Sequence, residues 1–424
     1  MTVTDLARSS KWRLKSGVVA TALRYGISAA GPVAVSGAHF LASLIFLRNL
    51  PAREFGLFSF VMVVVSFGMS LNVSLISVPI TRNLVTGETG VRPICFQMNW
   101  LVCILFATLL FTALFLGGAP LLEAAMLGLF GGVFTYRWFS RCFAFVDKRM
   151  SAAIRSDFVY SIALVAGLGA LAFTHHMDFT SGSVMLLAAA LVALVPFGAG
   201  FFKNQIAALG GNPLRYWPIF RDLTRWSLLG VALTEITVNA HAYLVTFISG
   251  PSAFALLALG MLLFRPASLM QSALPDMERP VMARAMAAKD MATVARVQRH
   301  FGYGLVAAWG INLLLCAALL AFFPLLVLEK GYALNEVILV AGLSAIIMAL
   351  RAWRTPLAVL LQAAGQFKEL AGIGTTSGAV SVAATLILLL TVGPIASLVG
   401  IMLGELVILI YVRRMANAWW AEHG

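Results

Sequence analysis

Twelve long apolar stretches, separated by short polar connections, constrain the fold of this 424-residue chain more than any other feature. They lie at 24–47, 55–80, 94–116, 120–146, 158–173, 183–202, 227–248, 252–275, 301–328, 334–361, 370–392 and 395–412. A helix of ~20 apolar residues crosses a hydrocarbon layer of ~30 Å. The stretches are continuous and do not alternate, which favours helices over the strands of a membrane barrel. We therefore expect an all-α polytopic membrane protein with about twelve transmembrane helices.

Composition excludes the main soluble classes. Only 11% of residues are charged and the mean hydropathy is +0.92, whereas soluble domains carry ~25% charged residues. The net charge of +13 does not indicate nucleic-acid binding, because the basic residues sit at the ends of apolar stretches and form no soluble basic face. The four cysteines show no CxxC or Cys/His spacing, so we predict neither a metal site nor a cofactor.

Lysine and arginine are distributed unequally between the two sets of connections. Of the 30 basic residues, only Arg48, Arg53 and Lys330 fall on one side, and the rest lie on the other side or within apolar stretches. The positive-inside rule places the basic side, with both termini, in the cytoplasm.

A weak internal repeat divides the chain into two halves. Three pairs of features recur in the same order: Ala38-His39 with Ala240-His241, Pro79 and Arg82 with Pro275 and Arg279, and Arg137 and Arg141 with Arg351 and Arg354. Both halves start on the cytoplasmic side, so we expect two six-helix lobes related by a pseudo-two-fold axis along the membrane normal. The predicted divisions are a cytoplasmic segment 1–16, a first lobe 17–202, a cytoplasmic linker 203–226, a second lobe 227–412 and a cytoplasmic tail 413–424.

Six arginines within or just inside apolar stretches are not explained by topology: Arg24, Arg137, Arg141, Arg265, Arg351 and Arg354. A span-centre arginine costs ~2.5–3.5 kcal/mol on insertion scales. The embedded or nearby acids, Glu235, Glu405, Asp147 and Asp157, are too few to neutralise them one by one. We therefore predict a net-positive cavity that binds an anion, and the guanidinium fork suits phosphate or pyrophosphate oxygens.

Two alternatives stay open for these residues. Some of the arginines, Arg24 and Arg354 above all, are placed so that they can reach the cytoplasmic interface along their own stems. Trp138 and Trp353, next to the arginines, either pack against sugar rings of the cargo or belong to an interfacial aromatic belt.

The seventh stretch carries a polar group of Glu235, Asn239 and His241. Glu235 and Asn239 are four residues apart and share a helical face, so this group is a candidate site for a coupling proton or Na⁺. The alternatives are a Glu235 neutralised by a cavity arginine and a His241 that is packed and hydrogen-bonded.

Two segments resemble a known family. Residues 40–60, FLASLIFLRNLPAREFGLFSF, and 350–370, LRAWRTPLAVLLQAAGQFKEL, are similar to segments of Wzx-type oligosaccharide flippases, in the polysaccharide-transport branch of the multidrug/oligosaccharidyl-lipid/polysaccharide (MOP) superfamily. The resemblance implies twelve helices in two lobes around a V-shaped cavity. It implies movement of an undecaprenyl-pyrophosphate-linked glycan from the cytoplasmic to the periplasmic leaflet of the bacterial inner membrane, with membrane lipids and polysaccharide polymerase machinery as partners. It assigns no individual binding residue.

Two rival functions are kept. A cation-coupled multidrug exporter of the MATE type has the same architecture, but its cationic cargo favours acids in the cavity. A membrane polysaccharide polymerase or ligase needs a sizeable periplasmic loop, and the longest candidate, 174–183, has about ten residues. We expect a transporter and not an enzyme.

Overall fold

The computed structural model describes residues 30–77, 79–80, 90–147, 149–324 and 332–423. Arg24 lies outside the described residues, so its predicted place in the cavity stays a prediction. Fourteen helices are numbered here within the described part of the chain: α1 Ala30–Asn49, α2 Ala52–Asn72, α3 Val91–Leu116, α4 Leu121–Val146, α5 Met150–Phe173, α6 Phe179–Val192, α7 Ala199–Ala207, α8 Arg225–Ser249, α9 Pro251–Leu263, α10 Arg265–Ala287, α11 Met291–Phe322, α12 Leu334–Ala363, α13 Phe367–Thr391 and α14 Ser397–His423.

Proline and a side-chain cap set several helix starts. Pro51 and Pro120 stand directly before α2 and α4, and Pro251 is the first residue of α9. The fixed backbone angle of proline and its missing N–H suit these positions. The Asp178 carboxylate caps α6 by accepting from the Ser181 N–H at 2.6 Å, which satisfies one of the free donors at the helix start.

Within the described residues, each of the twelve predicted stretches is mostly helical. Eight helices are long and apolar enough to cross a membrane among the described residues, and the bent pair α9 and α10 makes a ninth when it is taken as one span. The prediction of an all-α polytopic fold is confirmed.

The helices pack into two lobes that share a core at one end only. We call this the closed end; it carries the turns 50–51 and 249–251. Its core joins Phe46 and Phe58 of the first lobe to Phe254 and Leu257 of the second. At the opposite end, which carries the segment 198–224 and the end of α14, each lobe has a separate core. We call that the linker end.

The eighth predicted span, 252–275, is bent in the structure. The chain bends by 64° between α9 and α10, at Phe264. Pro266 follows the bend; it has no N–H to donate to the preceding turn, and its ring crowds that turn. The second span stays continuous but changes to a π-helix over Val73–Ser77.

Candidate functional site

A cavity of about 300 Å³ lies between the lobes. Its walls come from α1 and α2 of the first lobe and from α8, α9, α10 and α12 of the second. The polar side chains that line it are His39, Ser43, Ser59, Ser66, Asn239, Arg265, Ser268 and Arg351. Among the described residues that line it, two are guanidinium groups and none is a carboxylate, so its wall carries positive charge.

Arg265 occupies the bend of the eighth span. Protein surrounds it on most sides, yet its side chain is exposed to the space of the cavity. No carboxylate within the described part of the chain lies at ion-pairing distance from it. Its five N–H donors are therefore available to an anion in the cavity.

Arg351 belongs to both the cavity and an ion triad. Its Nε donates to Glu405 Oε1 at 2.7 Å, and the Nε of Arg354 donates to the other carboxylate oxygen at 2.6 Å. The Glu405 side chain is 4% exposed. One buried carboxylate thus holds two arginines of α12, and the triad keeps a net charge of +1.

A second triad stabilises the first lobe. Asp157 on α5 accepts from Arg137 Nη2 at 2.6 Å and from Arg141 Nε at 2.8 Å. Arg137 is fully buried, and its Nε also donates to Ser156 Oγ at 3.2 Å. The guanidinium of Arg137 stacks 4.7 Å from the centre of the Tyr160 ring. These contacts tie α4 to α5 inside the lobe.

The arginine pairs repeat between the lobes, but their acids do not. Arg137 and Arg141 sit on the fourth span and Arg351 and Arg354 on the tenth, as the repeat predicts. Asp157 comes from the fifth span, whereas Glu405 comes from the twelfth. The two lobes therefore reached the same charge balance with acids on non-equivalent helices.

The expectation that the acids leave the six arginines uncompensated is wrong for four of them. Two acids suffice, because each carboxylate has two oxygens and accepts from two guanidinium groups. The members of the predicted binding set that do not line the cavity are Arg137, Arg141, Arg354, Trp138 and Trp353.

The two tryptophans have different surroundings. The guanidinium of Arg141 lies 4.9 Å from the ring centre of Trp138, inside the first lobe. Trp353 is 58% exposed and faces a groove on the outside of the second lobe. Both are therefore removed from the cavity wall.

Solved structures of membrane transporters share this fold. A multidrug resistance MATE-family transporter of the MOP superfamily, in an inward-facing conformation, superposes with a TM-score of 0.67 at 12% identity, over 92% of this chain and 98% of that one. The lipid II flippase MurJ, in an inward closed conformation, gives 0.64 at 12% identity, over 92% and 87%. An outward-facing MATE-family transporter gives 0.57 at 11% identity, over 94% and 96%. No protein-family profile and no curated protein matches the sequence.

The chain has the fold of the MOP-superfamily transporters. In this fold the two lobes meet at the closed end, around their shared core.

Glu235 forms a polar cluster beside the cavity of this MOP-fold protein. Its Oε1 accepts from Asn239 Nδ2 at 3.0 Å and from Tyr243 Oη at 2.6 Å. Both partners are neutral. Among the described residues no arginine pairs with Glu235, so the alternative in which a cavity arginine neutralises it is not seen. His241 lies apart: it is buried, and its Nε2 is 3.3 Å from Met261 Sδ.

Sequence analysis missed several polar residues of the site, among them Tyr243, His39 and Ser43. Tyr243 completes the Glu235 cluster, and its signal was the spacing of four residues from Asn239 along one helical face. His39 lines the cavity and its Nε2 is 2.8 Å from Tyr160 Oη; in the sequence it stood out only through its match with His241 in the internal repeat. Ser43, one helical turn later, gave no signal in the sequence.

Proposed function

We propose that this chain is a flippase that moves a polyprenyl-pyrophosphate-linked oligosaccharide from the cytoplasmic to the periplasmic leaflet of a bacterial inner membrane by alternating access. The observation that carries the proposal is the cavity between the lobes, where Arg265 and Arg351 face the same space and no carboxylate of the described residues does. A pyrophosphate matches this wall, because guanidinium groups bind phosphate oxygens through charge-assisted, often bidentate hydrogen bonds.

The cavity also offers neutral polar groups to such a cargo. Its volume is about 300 Å³, and the serines on α1, α2 and α10 can form hydrogen bonds with the hydroxyl groups of sugars. The prenyl tail stays in lipid between the lobes. In this proposal the linker end and both termini face the cytoplasm, and polysaccharide polymerase machinery receives the cargo on the other side.

The arginine triads have a supporting role in this mechanism. The Arg137–Asp157–Arg141 triad is buried inside the first lobe and keeps it rigid while the lobes rock. The triad of Glu405 orients Arg351 toward the cavity. The domain division into lobes 17–202 and 227–412, joined by the linker 203–226, is part of the proposal.

Transport of a fluorescent lipid-linked oligosaccharide in proteoliposomes tests the proposal. Arg265→Gln is a more specific variant than Arg351→Gln. Replacing Arg351 would remove a partner of the buried Glu405, whereas replacing Arg265 leaves no described carboxylate unpaired. Loss of one charge-assisted contact of ~1.5–3 kcal/mol weakens binding by about 10- to 100-fold. Arg155→Gln is the matched control: Arg155 is exposed, and its Nε donates to the Ser151 carbonyl of its own helix at 3.2 Å. Wild-type flipping by a folded Arg265→Gln protein rejects the proposal.

A cation-coupled exporter of the MATE type is the second candidate, and Glu235 favours it. A carboxylate held by two neutral donors next to cavity-lining Asn239 is suited to a proton or Na⁺. Gradient-driven efflux of a cationic dye such as ethidium, lost in Glu235→Gln and kept in Arg265→Gln, is the outcome that selects this candidate over the flippase.

A further inference from the structure

A groove of about 700 Å³ runs along the outside of the second lobe, between α11, α12 and α14. Its floor is made of small or compact residues, Gly302, Ala352 and Pro356. An added Cβ at Gly302 would lie 3.7 Å from Pro356 Cγ, an ordinary van der Waals contact, so these two residues are neighbours on the floor. Val306, Leu357 and Leu409 complete an apolar wall.

The mouth of the groove is basic. Arg299 of α11 and Arg413 of α14 stand there, both exposed. Within the described ranges neither arginine has a carboxylate at ion-pairing distance. Trp420 Nε1 donates to Gln298 Oε1 at 3.0 Å and ties the two walls together at this end.

Aromatic side chains line the rim. Trp353 is 58% exposed and Tyr303 is 66% exposed. Such amphipathic rings are typical of the level of lipid headgroups. An apolar trough with two arginines at its mouth is thus complementary to a molecule with an acyl chain and a phosphate.

We infer that this groove is a binding site for an anionic phospholipid, with the headgroup phosphate between Arg299 and Arg413 and one acyl chain along the floor. Basic pockets between transmembrane helices on the cytoplasmic side bind acidic lipid headgroups in this way. The site is distinct from the central cavity, although α12 contributes to both: Arg351 faces the cavity, and Trp353 faces the groove.

Native mass spectrometry of the purified full-length protein tests the site directly. The protein is titrated with phosphatidylglycerol, phosphatidylcholine or undecaprenyl phosphate. We expect phosphatidylglycerol to bind best, and the double variant Arg299→Gln/Arg413→Gln to bind it about 30-fold more weakly, given about a fivefold factor for each basic residue near a headgroup. Arg155→Gln/Arg414→Gln is the control with the same charge and is expected to bind normally.

A second variant tests the apolar trough separately from the two arginines. Gly302→Leu fills the trough without removing an arginine and is expected to weaken phosphatidylglycerol binding. Equal binding of phosphatidylcholine, or unchanged binding in both variants, overturns the inference. Preference for undecaprenyl phosphate overturns it as well, since the groove would then hold the tail of a lipid-linked cargo. The measurement needs no transport, so it is independent of the proposed flipping.

A different observation concerns the bend between α9 and α10. In a straight helix the Ala267 N–H donates to the Leu263 carbonyl. Here the side chain of Asn312, from α11, takes both groups: its Oδ1 accepts from Ala267 N–H at 3.0 Å, and its Nδ2 donates to the Leu263 carbonyl at 2.8 Å. One buried amide thus replaces the lost helical bond.

The first lobe has an asparagine at the equivalent position. Asn99 of α3 precedes Asn312 by 213 residues, the offset that also relates Arg141 to Arg354. Its Oδ1 accepts from Asn72 Nδ2 at 2.7 Å, directly before the π-helix Val73–Ser77. In both lobes, therefore, a buried asparagine of the third helix contacts the second helix where it becomes irregular.

We propose that Asn312 is a positioning residue that holds the bend open and so directs Arg265 into the cavity. The consequence for transport rests on the proposed function, but the bend itself does not. Replacing Asn312 by leucine leaves both backbone groups unpaired in the bent form, and a straighter helix satisfies them again.

Spin-label distances between Ser252→Cys and Ala287→Cys, with the four native cysteines replaced by alanine, measure the bend without substrate. We expect Asn312→Leu to lengthen this distance, Asn312→Asp to lengthen it less because the acceptor remains, and Arg265→Gln to leave it unchanged. An unchanged distance in a folded Asn312→Leu protein overturns the proposal. A lengthened distance with wild-type flipping upholds the positioning of the bend and counts against Arg265 in the proposed function.

Discussion

Gly56 of α2 packs directly against the backbone of Pro251 at the start of α9. A methyl group at Gly56 would collide with the Pro251 carbonyl oxygen, so only glycine permits this approach of the two lobes at the closed end.

Gly56→Val is therefore expected to separate the lobes at this end and to favour a conformation open there. The measurement is labelling of Ser66→Cys, a cavity residue, by an impermeant reagent from each face of the membrane in a background free of native cysteines. Labelling from the side of the closed end should rise. Gly37→Val is the control, since an added Cβ there meets no atom within 4 Å. Equal labelling in both variants contradicts the prediction.

Asp157→Asn should destabilise the first lobe strongly. It leaves the buried guanidinium groups of Arg137 and Arg141 without a countercharge, and breaking a buried ion pair in this way costs about 3–5 kcal/mol. Thermal unfolding in detergent measures the effect. The same substitution at Asp222, whose exposed carboxylate pairs with the adjacent Arg221, should change the melting temperature little. Similar melting of the two variants argues against a structural triad.

Flipping of a pyrophosphate-linked cargo should depend on the membrane potential. Each charge that crosses gains ~2.3 kcal/mol per 100 mV, so a dianion leaving a negative interior gains roughly 4–5 kcal/mol. Proteoliposomes with an imposed potassium diffusion potential provide the test. An inside-negative potential should accelerate outward flipping and the reverse potential should slow it. If the flipping rate is the same at both signs of the potential, the cargo does not carry net charge across the membrane.

Glu235→Gln should remove any stimulation of transport by a proton or Na⁺ gradient, because the amide cannot ionise while it still bonds Tyr243. Transport with and without an imposed gradient, at zero potential, measures this. Glu123→Gln is a matched control, since Glu123 also accepts from a hydroxyl group, that of Thr180, at 2.5 Å, and it does not line the cavity. Stimulation that survives in Glu235→Gln removes this residue from coupling.

The positions of the helices could be predicted from sequence because lipid imposes a length and an apolar composition on every span. The bend at Phe264 could not be found in that way. The run from Ser252 to Leu263 is apolar, and the only signal was the pair Arg265-Pro266, where a charge and a helix breaker meet.

The arginines and the acids Asp157 and Glu405 were found from sequence, but the pairing between them was not. Asp157 lies 16 residues from Arg141, and Glu405 lies 51 residues from Arg354, so no local spacing connects them. The sequence analysis compared the number of acids with the number of arginines and so assumed that each acid pairs with one arginine. The physical limit is the number of oxygens, and one buried carboxylate accommodates two guanidinium groups.

Arg351 contacts Glu405 on one side and the cavity on the other. Its Nε already donates to Glu405 at 2.7 Å, so an anion in the cavity can bind only the remaining N–H groups of the guanidinium. Such partial binding holds the anion less tightly, which favours its release after transport.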